Sequence, residues 1–261
     1  MDIEGKVAIV TGPGGGGQGR AVALRLASLG AQVVVSDLDE PGAQETCRRI
    51  ASERGKAAFV RADVAKESDV RAMCRFAEER FGGLDILVNN AGPYLPGDRL
   101  ARWQETLNAN LLGALYGTLH AIKPMRGRGG GAIIYYGSTS AVGHGFKHCS
   151  SPAYDVAKAA VMRLTTTMNW LREAYGIRVN CIVPDWVATE EVQAYFESLS
   201  PPERVANGVP KVLTSLDEIA SAVVRLISDE ALSGRVLVWW SGEAPGLIPV
   251  GDPGYGRLDP F

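Results

Sequence analysis

The stretch Thr11-Gly12-Pro13-Gly14-Gly15-Gly16-Gly17-Gln18-Gly19-Arg20 decides the fold of this chain of 261 residues. It follows a short β-branched run from Val7 to Val10 and precedes a segment from Ala21 to Leu29 with apolar residues at helical spacing. Glycines at such a turn let the backbone approach a pyrophosphate, and the free N–H groups of the helix N-terminus attract its charge. This context favours a phosphate-binding loop over a merely flexible turn.

Strands and helices alternate along the rest of the chain. Further strands are predicted at Gln32 to Ser36, Ala57 to Val60, Asp85 to Val88, Gly131 to Tyr136, Arg178 to Val183 and Arg235 to Trp240. Helices are predicted at Ala43 to Arg54, Glu67 to Phe81, Trp103 to Met125, Ala153 to Ala174, a Pro-interrupted stretch up to about Asn207, and Leu216 to Ile227. The strands are continuous apolar runs, as in a buried parallel sheet. We therefore expect an α/β fold in which about seven parallel strands carry helices on both faces and bind ligands at their carboxyl ends.

Composition narrows the class of protein. Hydrophobic residues make up 46% of the chain, charged residues 21%, and the formal net charge is -2. Without a basic excess or a long apolar run, we expect no nucleic-acid partner and no membrane span. The cysteines fit no metal-ligand spacing and are predicted to be buried, reduced thiols of a cytoplasmic protein: Cys47, Cys74, Cys149 and Cys181. We predict one domain over residues 1–240, with no metal site.

Tyr154 and Lys158 indicate a proton-transfer site. They are four residues apart and would share one face of a helix. An ordinary tyrosine pKa of about 10 is too high for exchange near neutral pH, and a neighbouring cation lowers it. The hydroxyl of Ser138 is able to hold a substrate oxygen against the phenol. Such a site suits an alcohol or a ketone.

Asp37 ends the second predicted strand, eighteen residues after Gly19. A carboxylate at that distance accepts hydrogen bonds from the adenosine ribose and repels a 2′-phosphate, which favours NAD over NADP. Asp39 competes for this role, although it lies beyond the strand end. Arg20 is expected to point into solvent or to contact a phosphate.

Taken in order, the segments Thr11-Gly12, Gly17-x-Gly19, Asn89-Asn90-Ala91-Gly92 and Tyr154-x-x-x-Lys158, with Asn110 and Ser138, resemble the short-chain dehydrogenase/reductase family over residues 5–240. The resemblance implies a Rossmann-type domain, a nicotinamide cofactor and a catalytic tetrad of Asn110, Ser138, Tyr154 and Lys158. It also implies cofactor contacts from Gly12, Gly17, Gln18, Gly19, Asp37, Leu38, Asp63, Val64, Asn90, Ala91, Gly92, Tyr154, Lys158, Pro184, Val187 and Thr189.

Each member of the tetrad has an expected role. Tyr154 is the general base in oxidation and the general acid in reduction. Lys158 lowers the pKa of Tyr154 and holds the nicotinamide ribose. Ser138 orients the substrate oxygen, although Thr139 and Ser140 are close enough to be confused with it. Asn110 holds a water that links Lys158 to solvent.

The chain departs from the family pattern at four places. The glycine loop is one residue longer, so the first cofactor contact is left open among Gly14, Gly15 and Gly16. The segment between Ser138 and Tyr154 is about three residues longer. Pro184-Asp185 replaces Pro-Gly, and residues 240–243 replace a glycine pair.

Substrate contacts are predicted from Tyr94, Ser140, His144, His148 and Trp186. The two histidines more often belong to a plain loop than to a metal site, because the surrounding glycines disfavour a helix. In the substrate loop, about residues 185–210, Trp186 with Tyr195 and Phe196 either forms an apolar lid over the nicotinamide end or packs the lid onto the domain. We expect a fairly apolar or cyclic alcohol or ketone.

The tail at residues 241–261 is rich in Pro and Gly and has no periodic pattern. A segment of this composition is ordered only where something holds it, so we expect it to pack on a neighbouring subunit near the last strand. The family resemblance implies a homotetramer, with a homodimer as the alternative.

These patterns predict an NAD-dependent oxidoreductase that moves a hydride between the cofactor and a secondary alcohol or ketone. Two alternatives stay open. One is a regulatory protein that binds NAD without turnover. The other is an epimerase or dehydratase that uses NAD transiently.

Overall fold

The computed structural model describes residues 1–93, 102–142 and 151–251. Within them the chain forms one sheet of eight strands. The strands are β1 (Val7–Thr11), β2 (Gln32–Asp37), β3 (Lys56–Arg61), β4 (Ile86–Asn89), β5 (Gly131–Tyr136), β6 (Ile177–Pro184), β7 (Arg235–Trp239) and β8 (Gly246–Leu247).

The strand order in the sheet is β3-β2-β1-β4-β5-β6-β7-β8. Every neighbouring pair is parallel except β7 and β8, which are antiparallel. The order reverses at β1 and β4, and this switch point opens a crevice at the carboxyl ends of the strands. The fold is therefore the predicted Rossmann-type α/β sheet.

Helices cover both faces of the sheet. They are α1 (Gln18–Ser28), α2 (Glu40–Ser52), α3 (Glu67–Phe81), α4 (Trp103–Leu107), α5 (Gly113–Gly127), α6 (Pro152–Thr167), α7 (Trp170–Tyr175), α8 (Glu190–Ser198), α9 (Pro201–Ala206) and α10 (Leu216–Ser228). Successive strand residues point to opposite faces. Ala8 and Val10 pack with α1 and α10, whereas Val7 and Ile9 pack with α3 and α5. This double burial explains why the strands are apolar throughout.

Two predicted long helices are interrupted in the structure. The helix predicted from Trp103 to Met125 contains a π-helical turn at Asn108–Leu112, between α4 and α5. The helix predicted from Ala153 to Ala174 ends at Thr167 and restarts as α7. Thr166 and Thr167 donate hydrogen bonds to carbonyl oxygens one turn earlier, which weakens the helix at this point.

Two glycines of α5, Gly113 and Gly117, lie against a loop and a strand. Their position in a predicted helix suggests close contact with another helix, but the structure shows a different neighbour at each. A Cβ on Gly113 would lie 3.0 Å from the carbonyl oxygen of Val64, and one on Gly117 would lie 3.2 Å from Leu87 of β4. Because glycine has no side chain, α5 can pack close to the sheet at these two positions.

The first part of the tail is held by its own chain. Strand β8 pairs with β7, and the N–H of Ile248 donates to the carbonyl oxygen of Val236 at 2.9 Å. Arg235 donates to the carbonyl oxygen of Ile248 at 3.1 Å. A neighbouring subunit is thus not needed to order residues 246–248, and the sheet extends beyond the predicted domain end at residue 240. The predicted interface at the tail remains a prediction, and residues 252–261 lie outside the described part.

Two of the cysteines, Cys74 and Cys181, are buried thiols as predicted, and Cys47 is only half-buried. Cys149 lies outside the described residues. No helix in the described part of the chain is both long enough and apolar enough to cross a bilayer.

Candidate active site

The glycine loop joins β1 to α1 and is fixed to the end of β4. Gly12 has a φ of 74°, and a Cβ there would lie 2.9 Å from the Cα of Ala91. Asn90 donates from its side chain to the carbonyl oxygens of Thr11 and Gly12, at 2.9 and 3.2 Å. The predicted cofactor residues Gly12, Asn90 and Ala91 therefore lie together at the switch point.

The N-terminus of α1 is available to an anion. Gly17 caps the helix without a side-chain hydrogen bond, so its first N–H groups are not covered by a side-chain oxygen. A Cβ on Gly15 would meet nothing within 4 Å, whereas one on Gly17 would lie 3.2 Å from the methyl group of Thr189. A pyrophosphate fits this open, positively polarised loop, with Thr189 at its side. Gln18 and Gly19 form the first turn, where a Cβ on Gly19 would clash with the carbonyl of Gly12 at 2.7 Å.

Asp37 lies at the end of β2, directly behind the glycine loop. Its carboxylate accepts from the N–H of Gly14 at 2.6 Å and from the N–H of Asp39 at 3.0 Å. The competing carboxylate of Asp39 caps α2 by accepting from the N–H of Gly42. Both carboxylates are thus engaged by backbone N–H groups, and the assignment of the ribose to Asp37 stays a prediction.

Arg20 is half-buried and hydrogen-bonded within the protein rather than extended into solvent. A contact between Arg20 and a phosphate stays a prediction. Its guanidinium donates to the carbonyl oxygens of Gly14 and Gly42, at 2.6 and 3.1 Å, and to the hydroxyl of Thr46 at 2.9 Å. One acceptor is a backbone carbonyl of the glycine loop, and the other two belong to α2. Arg20 therefore links the glycine loop to α2.

Three of the predicted cofactor contacts, Leu38, Asp63 and Val64, follow the strands β2 and β3. Leu38 is 50% exposed beside Asp37. Asp63 follows β3 and accepts from the N–H of Ala65 at 3.0 Å, and Val64 packs against Gly113. All of them lie near the carboxyl ends of the strands.

Lys158 is buried at the centre of the site. Its ammonium group donates to the carbonyl oxygen of Tyr136 at 2.9 Å and lies 5.3 Å from the centroid of the Tyr154 ring. Only 4% of the residue is exposed, and burial lowers the pKa of Lys158 from 10.5 to about 8, while the nearby Cys181 raises it slightly. Near neutral pH the group is still mostly a cation beside the phenol.

Asn110 reaches Lys158 across Gly92. A Cβ on Gly92 would lie 2.4 Å from the side-chain oxygen of Asn110 and 3.4 Å from the ammonium nitrogen of Lys158. The amide of Asn110 donates to the carbonyl oxygens of Pro93 and Thr106, both at 3.2 Å. Its buried oxygen has no protein partner among the described residues. A buried acceptor of this kind calls for a water or a ligand.

Ser138 lies at the carboxyl end of β5 and starts a 3-10 turn, Thr139–Ala141. Its hydroxyl lies 2.9 Å from that of Ser140, so these two candidates form one pair of hydroxyls. Thr139 is buried, and its hydroxyl donates to Asp185 at 2.8 Å. This bond separates Thr139 from Ser138, a distinction that residue spacing alone left open.

The substrate loop leaves the sheet at Pro184, the last residue of β6. Val187 forms an isolated bridge with Thr214, and Thr189 caps α8. Trp186 stacks on Tyr195 of α8 with ring centroids 6.0 Å apart, and Phe196 lies under the guanidinium of Arg204 at 3.8 Å. The aromatic residues thus pack the lid helices together. Substrate contact by Trp186 remains a prediction, and Tyr94, His144 and His148 lie outside the described residues.

Asp185 is the site residue that sequence reasoning missed. The replacement of Pro-Gly by Pro184-Asp185 was a visible signal. The sequence could not show the role of Asp185, because its hydrogen-bond partners, Thr139 and Ser241, come from distant segments.

The comparisons with known proteins agree with this geometry. The profile described as enoyl-(acyl carrier protein) reductase matches residues 15–239. A protein from Aspergillus oryzae, called short chain dehydrogenase/reductase astE, is 34% identical over 88% of this chain and 91% of its own. The chain belongs to the short-chain dehydrogenase/reductase family.

Two further proteins to which the chain is similar have names that describe an activity. Cis-4-hydroxycyclohexanecarboxylate dehydrogenase from Sinomonas cyclohexanicum is 35% identical over 87% of this chain and 90% of its own. The solved structure of 7 alpha-hydroxysteroid dehydrogenase, complexed with NADH and 7-oxo glycochenodeoxycholic acid, has a TM-score of 0.82 at 29% identity. It covers 92% of this chain and 94% of its own.

Proposed function

We propose that this short-chain dehydrogenase/reductase transfers a hydride between NAD(H) and a cyclic secondary alcohol or ketone, with Tyr154 as the general acid and base. The observation that carries the proposal is the buried ammonium of Lys158. It lies 5.3 Å from the centroid of the Tyr154 ring, at the carboxyl end of β5, and Gly92 lies close to both the ammonium group and the amide oxygen of Asn110. A cation buried beside a phenol favours the phenolate that a general base needs.

NAD(H) supplies the hydride chemistry when it is bound. The uncapped N-terminus of α1 would hold the pyrophosphate, and Asp37 would accept hydrogen bonds from the adenosine ribose. The carboxylate of Asp37 disfavours the 2′-phosphate of NADP by charge repulsion. The ammonium group of Lys158 donates to the carbonyl oxygen of Tyr136. It would also donate to the hydroxyls of the nicotinamide ribose.

The protein's own residues then handle the proton. In oxidation Tyr154 removes the proton from the alcohol, and in reduction it returns one to the ketone oxygen. Ser138, paired with Ser140, holds that oxygen. The buried oxygen of Asn110 suits a water that passes the proton onward.

Two relatives support a cyclic substrate, because their names describe a hydroxycyclohexane carboxylate and a hydroxysteroid. The aromatic stack of Trp186 on Tyr195 supports an apolar wall at the lid. We propose that a ring carrying a secondary hydroxyl packs against this wall.

The assembly is proposed to be a homotetramer, or a homodimer. Leu119 on α5 and Val156 on α6 are 55% and 49% exposed, and exposed apolar residues on the two long helices suit an interface. Sedimentation would measure the state, and a monomer at micromolar concentration would contradict it.

The function is tested by following NADH absorbance with a panel of cyclic and acyclic secondary alcohols and ketones, with NADP(H) in parallel. We expect turnover with cyclic members and preference for NAD(H). A protein that binds NADH and turns over no member of the panel would contradict the proposal and favour a regulatory role. Isotope exchange without net oxidation would instead indicate an epimerase or dehydratase.

A further inference from the structure

Asp185 joins two distant segments with one carboxylate. One oxygen accepts from the hydroxyl of Thr139 at 2.8 Å, and the other accepts from the N–H of Ser241 at 3.2 Å. The N–H of Asp185 itself donates to the carbonyl oxygen of Trp239 at 3.0 Å. The residue is therefore fixed by the sheet while it holds one segment on each side.

The first link leads to the catalytic serine. Thr139 follows Ser138 and begins the 3-10 turn, and only 4% of it is exposed. Because Ser138 is its covalent neighbour, fixing the Thr139 side chain restricts the backbone that carries the serine hydroxyl. A hydrogen bond to a carboxylate is stronger than one between neutral groups, so the bond from Thr139 to Asp185 holds this backbone firmly.

The second link leads to the substrate loop. The hydroxyl of Ser241 accepts from the N–H of Trp186 at 3.1 Å and donates to its carbonyl oxygen at 3.2 Å. Ser241 thus fixes the backbone of the residue whose ring stacks on Tyr195. Through Ser241, the start of the tail is connected to the lid.

We propose that Asp185 is a positioning residue, which acts through Thr139 on Ser138 and through Ser241 on Trp186. It sets the distance between the hydroxyl that holds the substrate oxygen and the aromatic wall that packs against the substrate. The kinetic part of this inference rests on the proposed function, and the structural part does not.

Four variants separate the links. Asp185→Ala removes both. Asp185→Asn keeps both, since its oxygen accepts from Ser241 and its amide donates to the hydroxyl of Thr139. Thr139→Val removes the first link alone, and Ser241→Ala removes the contacts to Trp186 while its own N–H remains.

With a substrate found in the panel, we expect Asp185→Ala and Thr139→Val to lower kcat roughly 10- to 100-fold, because small displacements of reacting groups have effects of this size. Their Kd for NADH should stay within about twofold of the wild-type value. The Asp185→Ala/Thr139→Val double variant should be no slower than Asp185→Ala, and Asp185→Asn should restore kcat. Ser241→Ala should raise KM more than it lowers kcat. Unchanged kcat in Asp185→Ala, or full additivity in the double variant, would overturn the proposal.

Hydrogen exchange of the unliganded protein tests the same coupling without turnover. Backbone amides of residues 139–142 should exchange faster in Asp185→Ala and Thr139→Val, and not in Asp185→Asn. Equal exchange in all variants would overturn the inference. If Asp185→Ala does not fold, the exchange of Thr139→Val decides whether Asp185 restrains the turn through Thr139. A wild-type protein that turns over no alcohol or ketone would refute the proposed function, and exchange would still decide the role of Asp185.

Discussion

The ammonium group of Lys158 donates a 2.9 Å hydrogen bond to the carbonyl oxygen of Tyr136. The bond anchors a buried cation of α6 to the end of β5, the strand that leads into Ser138. This bond therefore joins the two elements that carry the proposed proton chemistry. Burial acts against the charge and lowers the pKa of Lys158 to about 8.

Replacing Lys158 by Met should change how stability depends on pH. The pKa of Lys158 is lower in the folded protein than in the unfolded chain, so the unfolded chain binds more protons between about pH 8 and 10.5. The free energy of unfolding of the wild type should therefore rise across this window relative to Lys158→Met. Urea unfolding of the unliganded proteins at both ends of the window measures this. The exposed Lys123→Met variant is the control, and parallel pH curves for wild type and Lys158→Met would contradict the expectation.

Replacing Tyr154 by Phe should abolish the proposed proton transfer and leave the cofactor site intact. We expect kcat to fall by about 10²–10⁴-fold, the usual contribution of a positioned acid or base. The Kd for NADH, measured by fluorescence, should change little. Tyr116→Phe is the matched control, because Tyr116 is a half-buried tyrosine of α5. Equal activity of Tyr154→Phe and wild type would exclude Tyr154 as the acid and base.

Replacing Asp37 by Ala should weaken NADH binding and relax discrimination against NADPH. Loss of a hydrogen bond to a charged group corresponds to about 1.5–3 kcal/mol, or roughly 10- to 100-fold in Kd. Titrations with NADH and NADPH measure the ratio of the two dissociation constants. Asp39→Asn should keep the α2 cap and bind both cofactors as the wild type does, because Asn caps helices as well as Asp. A larger effect from Asp39→Asn than from Asp37→Ala would reverse the assignment.

Two glycines of one loop should respond differently to alanine. Gly12 has a positive φ and its Cβ would lie 2.9 Å from the backbone of Ala91, so Gly12→Ala should destabilise the protein by about 2 kcal/mol or more. A Cβ on Gly15 would meet nothing, so Gly15→Ala should change the free energy of unfolding by less than about 0.5 kcal/mol. Urea unfolding of the unliganded proteins compares them, and similar values would be evidence against this loop geometry.

Replacing Trp186 by Ala should lower kcat/KM for a cyclic substrate by roughly tenfold or more, which corresponds to about 1.4 kcal/mol of lost packing. NADH binding should be unaffected. Trp170→Ala serves as the control, because Trp170 is 52% exposed on α7. An unchanged kcat/KM in Trp186→Ala would show that this tryptophan only packs the lid.

Much of the fold could be read from the sequence because the sheet is buried on both faces. Continuous apolar runs such as those in β4 and β5 admit few other interpretations. The first helix follows the glycine loop as predicted, although it begins at Gln18 rather than at Ala21. Strand β8 was missed because Gly246–Leu247 is too short to show any period. The π-helical turn at Asn108–Leu112 was missed because the helical pattern continues through it.

Some features of the site could likewise be predicted from the sequence, and others could not. Asp37 and Ser138 lie at the strand ends where they were predicted, since a carboxyl strand end places the next residues at one edge of the sheet. Lys158 lies one helical turn after Tyr154 on α6, as their spacing predicted. The hydrogen bonds of Arg20 to the carbonyl oxygens of Gly14 and Gly42 could not be predicted, because no sequence pattern reveals which backbone groups a side chain will meet.

The sequence by itself determined the α/β class, the glycine-rich turn between the first strand and the first helix, and the membership of Tyr154 and Lys158 in one helix, because these follow from local periodicity and turn chemistry. Only the tertiary structure decided that Lys158 is buried against Tyr136, that Asp39 caps α2, and that Asp185 joins Thr139 to Ser241. The contacts of Lys158 and Asp185 join residues 22 to 56 positions apart. Their geometry depends on how strands and loops pack, and local sequence carries no record of that packing.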